Sequence, residues 1–159
     1  MECGSEKELV TDLNRIFSAL CENLNRGSLN YSVSLALFHS PNKGGSDAQE
    51  IVTAAFGKAA TLGNTFVVTI GELLDEVEKG MDFIGDDGTY PSRNFLGSTL
   101  FQTMKAETLQ KLNQFLSNAD MVMGFWLKKG HPFYPVFWDF AFIVEHGADA
   151  HLLVGSSSD

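Results

Sequence analysis

Seven carboxylates fall between Glu72 and Asp87: Glu72, Asp75, Glu76, Glu78, Asp82, Asp86 and Asp87. They face a single cation, Lys79. A run of this kind breaks no bonds by itself; it attracts cations and steers basic macromolecules. Calcium is the most specific chemistry to test. An EF-hand loop needs D-x-[DN]-x-[DN]-G and a closing Glu. Asp82, Asp86, Asp87 and Gly88 miss that spacing, and Tyr90-Pro91 follows them. The run therefore reads as a solvated face or as a docking surface for a basic partner.

Asp139 sits among Phe137, Trp138 and Phe140. A carboxyl group buried among rings has its pKa raised, and such groups serve as general acids and bases. His131, Tyr134 or Arg93 would complete a site of that type. No motif spacing ties them to Asp139, so a structural role is the expectation. His146, Asp149 and His151 surround one predicted turn. Two imidazoles and a carboxylate bind a divalent metal when they share a side. Whether they do depends on turn geometry that the sequence does not give; with no third clear ligand, exposed turn histidines are expected and no metal or cofactor is assigned.

Three weaker patterns fail on context. Lys43-Gly44-Gly45 inverts the glycine–lysine order of a phosphate-binding loop. Ser156 to Ser158 with His151 lacks the G-x-S-x-G surroundings of a nucleophile elbow. Cys3 and Cys21 fall about five turns apart on one predicted helix, too far to pair; Cys21 reads as a small buried hydrophobe.

The elements that must position these residues follow from periodicity. The aromatic stretch His131–Val144 offers the largest apolar area in the chain, worth roughly 25 cal/mol per Å² buried. A central strand over Val136–Glu145 puts Trp138, Phe140, Phe142 and Val144 on one face and Phe137, Asp139, Ala141, Ile143 and Glu145 on the other. Leu9, Leu13, Ile16, Phe17, Leu20 and Leu24 mark a helix that starts at a Ser5/Glu8 capping box and stops at Gly27. Tyr31–Phe38 alternates as a strand with Val33, Leu35 and Leu37 inward. His39–Ser46 is a loop. Asp47 caps a helix reaching Ala60, and Thr65–Thr69 is a short strand. Ile70–Lys79 is a helix with Ile70, Leu73, Leu74 and Val77 inward and Gly80 as its stop. Gly80–Gly97 is the longest irregular stretch. A helix over Thr103–Asn118 precedes a strand over Met121–Leu127 and a turn at Lys128–Gly130. His146–Asp149 turns the central strand into Ala150–Val154, and Gly155–Asp159 is expected to fray.

This order gives one α+β domain over residues 1–159, a mostly antiparallel sheet with a C-terminal three-strand meander, covered on one face by helices. A chain of 159 residues is long enough to bury its own core. The net charge of −9 argues against binding a nucleic-acid backbone or an anionic membrane surface. The N-terminus lacks the pattern of a signal peptide and no apolar run spans a bilayer, so a cytoplasmic chain is expected. The functional expectation is a small acidic, non-catalytic binding protein, of inhibitor or immunity type, docking a basic protein through Glu72–Asp87. The alternative is a small enzyme or ligand-binding domain with an aromatic pocket around Asp139, His131 and Tyr134.

Overall fold

The computed structural model describes residues 2–26, 32–40, 47–83, 93–129, 138–147 and 149–158. Helix α1 (Glu2–Asn25) leads to strand β1 (Ser32–Ser40), then α2 (Ala48–Phe56), β2 (Thr61–Val67) and α3 (Ile70–Met81). A short α4 (Arg93–Leu96) and α5 (Thr99–Leu116) precede the meander β3 (Met121–Lys129), β4 (Trp138–His146) and β5 (Asp149–Ser158). The five strands form one sheet in the order β1-β5-β4-β3-β2, with every pair antiparallel. The α+β class and the meander are as the sequence predicts. The two earliest strands do not pair with each other; they occupy opposite edges.

Period-2 alternation sorts the core into two layers. Val33, Leu35, Leu37, Val122, Phe140, Phe142, Val144 and Leu153 point to one face. There they meet Leu13, Ile16, Phe17, Leu20 and Leu24 of α1, Leu73, Val77 and Met81 of α3, and Leu112, Phe115 and Leu116 of α5. The opposite face carries Phe125, Ile143, Leu152 and Val154, packed on Ile51 and Val52 of α2. Helices therefore cover both faces, with α2 alone on the second. Ile143, Leu152 and Val154 are apolar on that side and need their own cover.

Several boundaries move, each for a local reason. Helix α1 begins at Glu2, so Ser5 lies inside it and is not its cap. Asp47 does cap α2, accepting from Glu50 N, but the helix ends at Gly57, whose φ of 95° no helix accommodates. Strand β2 starts and ends four and two residues earlier than Thr65–Thr69 suggests. Thr69 is taken up by α3, where its hydroxyl accepts from Glu72 N and the Glu72 carboxylate accepts from Thr69 N. Gly80 is buried within α3 and does not stop it. Helix α5 starts at Thr99 because Ser98 caps it, and it ends at Leu116, short of Asn118. Strand β3 runs through Lys129 where a turn is expected.

The largest correction is the C-terminus. Gly155–Ser158 is not a frayed tail; β5 continues to Ser158 between β1 and β4, and Ser156 and Ser157 are buried. Gly155 has the phenyl ring of Phe140 and the side chain of Leu35 directly over its Cα, where a Cβ would come within 2.5 Å and 2.7 Å of them. A polar, glycine-containing segment thus forms the strand with neighbours on both edges. Full pairing of its backbone offsets its poor strand propensity. The loop expectations over 41–46 and 84–92 lie outside the described residues.

Candidate functional site

Among the described residues, strands β3 and β4 pair only from Met121–Glu145 to Gly124–Phe142. Beyond Gly124, β3 stays with β2, whose register continues through Leu62–Leu127 and Thr61–Lys129. The sheet is thus forked, with β2 and β3 leaving as a two-stranded ribbon. Two glycine–aromatic contacts shape this ribbon. The Phe66 ring lies on Gly124, its register partner, and the Trp126 indole lies on Gly63; a Cβ at either glycine would come within about 2.4 Å of ring carbons. Phe66 and Trp126 are each about half exposed, at 51% and 49%.

A groove of about 560 Å³ runs between this ribbon, β4 and α3. Its aromatic lining is Phe66, Phe125, Trp126, Phe140 and Phe142. Its polar wall is the outer face of α3, with Glu72, Asp75, Glu76 and Lys79. Leu73 and Val77 anchor α3 in the core, so helical spacing turns these charged positions outward. Val67, at the end of β2, is the most exposed of the large apolar side chains on the ribbon.

The acidic run divides accordingly. Glu72, Asp75 and Glu76 line the groove. Glu78 and Asp82 turn to α5, where Lys105 Nζ donates to Asp82 Oδ1 at 2.9 Å and lies 3.5 Å from Glu78 Oε2. The hydrogen bond to Asp82 raises the Lys105 pKa. Asp86 and Asp87 lie outside the described residues. So do His131 and Tyr134, and the side chains of Arg93 and Asp139; the Asp139 backbone pairs with Ser156 in the sheet. Phe66 and Trp126 escaped the sequence reading. Gly63 and Gly124 were the available signal, since a lone glycine in a strand marks a close approach.

The predicted turn histidines are not all exposed. His151 is 5% exposed, on the face covered by α1, α3 and α5, beside Phe115. Asp149, the carboxylate of that turn, meets His39, with Oδ1 3.4 Å from Nε2. His146 Nε2 lies 2.7 Å from the carbonyl oxygen of Phe115, and its Nδ1 lies 3.3 Å from Glu6 Oε1. Burial pushes the Cys21 thiol up to about 11, which keeps it protonated and unreactive at neutral pH.

The chain matches no family model, no curated protein and no solved structure. Among the described residues, no helix is long and apolar enough to cross a membrane.

Proposed function

We propose that this chain is a non-catalytic binding protein that takes a basic, amphipathic segment of a partner protein into the groove beside α3. One observation carries the reading: Glu72, Asp75 and Glu76 share a single groove with the half-exposed rings of Phe66 and Trp126. Carboxylates alone would suit solubility, and rings alone would invite aggregation. Together they match a segment that alternates cationic and apolar side chains. The rings would receive its apolar side chains, and Trp126 its lysine or arginine heads by cation–π contact. Charge would steer the encounter, so association would slow as salt screens it beyond about 8 Å at physiological ionic strength. Lys79 at the groove wall would disfavour purely cationic polymers without apolar side chains.

The test uses Trp126 as the reporter. A peptide of alternating lysine and leucine is titrated into the protein at two ionic strengths, with a glutamate–leucine peptide as control. The reading expects a change in tryptophan emission with the basic peptide alone, weaker at high salt. The change is expected to be absent in Trp126→Phe and in the triple variant Glu72→Gln/Asp75→Asn/Glu76→Gln. Glutamine at position 72 still satisfies the α3 capping box, so the triple variant keeps its helix. Equal response to both peptides, or an unaltered response in the triple variant, overturns the reading.

A further inference from the structure

We propose that Glu6, His146 and His151 form a binding site for a divalent transition-metal ion, tying the N-terminal half of α1 to the β4–β5 hairpin. One ligand atom from each of the three lies within 4.8 Å of the others. The set is two imidazoles and one carboxylate, a combination that suits zinc and its neighbours and leaves a coordination position open.

The hydrogen bonds around the cluster define which atoms are available. A carbonyl oxygen only accepts, so His146 donates its Nε2–H to Phe115 O. In the neutral ring, Nδ1 then carries the lone pair, and it faces Glu6 Oε1. Metal-bound histidines are oriented in this way, with the far ring nitrogen donating to a backbone carbonyl. The Phe115 ring packs against both imidazoles, at 4.6 Å from His146 and 5.3 Å from His151 between centroids, and limits their rotation.

Three buried atoms in the cluster have no hydrogen-bond partner: Glu6 Oε1, His146 Nδ1 and His151 Nδ1. A charged His146 facing Glu6 would account for two of them and would leave His151 Nδ1 bare. Burying such a group unpaired is unfavourable. A single cation among the three satisfies all of them. Tetrahedral zinc with bonds near 2.0–2.1 Å sets ligand atoms about 3.3 Å apart. Glu6 and His146 already stand at that spacing, and no pair in the cluster exceeds it by more than about 1.5 Å. His39 pairs with Asp149 at the edge of the cluster and is not assigned as a ligand. The fourth position is left to water or to an outside ligand.

The experiment is a titration of the full chain, free of any affinity tag and stripped with a chelator, by cobalt(II) and then zinc(II). One equivalent of cobalt is expected to give the visible absorption of a low-coordinate nitrogen–oxygen site, and zinc is expected to abolish that absorption and raise Tm. Glu6→Gln and His146→Gln are each expected to weaken cobalt binding by more than about tenfold with the far-UV circular dichroism unchanged. Asp149→Asn, beside the cluster but outside the three, leaves binding intact. Wild-type imidazole resonances provide a readout that requires no variant: zinc must move the ring signals of His146 and His151. Absence of stoichiometric cobalt or zinc binding overturns the proposal, and a water molecule then satisfies the three atoms. Binding that survives both Glu6→Gln and His146→Gln also overturns it.

Discussion

Along β1, two asparagines of α1 stand in for a neighbouring strand. Asn14 donates to Leu37 O and accepts from Leu37 N, and Asn25 does the same at Val33. Along β2, Gln49 of α2 plays this part, donating to Ala60 O and accepting from Leu62 N. Past Leu62 the outer edge of β2 has no described strand against it, and the apolar side chains Phe66 and Val67 are exposed there. A bare, apolar sheet edge is a hazard that proteins usually blunt. This molecule blunts one edge with helix amides and leaves the other half open, beside three carboxylates. The contrast teaches that the outer edge of β1 finds its partners within the fold, whereas among the described residues the far end of β2 finds none on that side.

The comparison breaks if the two edges prove energetically alike. Asn14→Ala is expected to destabilise the fold by roughly 2–4 kcal/mol, because it strips partners from both backbone groups of Leu37. Urea melts measure this, and a loss below about 0.5 kcal/mol would mean that water replaces the amide freely. The next largest effect contrasts two crowded glycines. Gly155→Ala, in the doubly paired strand, is expected to cost roughly 2–3 kcal/mol, since the rings and methyls above it are buried and cannot yield. Gly124→Ala meets the half-exposed Phe66 ring, which can swing aside, and is expected to cost under about 1 kcal/mol. The same Gly124→Ala change should abolish the response to the basic peptide by displacing that ring. Similar melts for the two variants would erase the distinction between the central strands and the ribbon.

Gln49→Ala tests the partial cap on β2, with an expected loss of about 1–2 kcal/mol by denaturant melt. Smallest of all, the pair Phe66→Ser/Trp126→Ser is expected to change stability by less than about 1 kcal/mol, as surface residues do. A larger loss would place these rings in the core, and the groove would lose its free lining.

Much of this architecture was legible in the sequence. The stripe from Leu13 to Leu24, the alternation Val33–Leu35–Leu37 and the inward set Phe140–Phe142–Val144 all occupy the faces their periods imply. Periodicity records which side of an element is buried, and that is a local fact written at spacings of two or three to four residues. Sheet order, the burial of Gly155–Ser157, the fork between β3 and β4, and the meeting of Glu6 with His146 and His151 were decided only in three dimensions. Each depends on which remote segments become neighbours. A period of two is the same for an edge strand as for a central one, so Gly155–Ser157 carries no local mark of the two strands that enclose it. Glu6 and His151 stand near opposite ends of the chain, and only the packing of α1 across β1 and β5 brings a carboxylate on a helix over an imidazole on a strand.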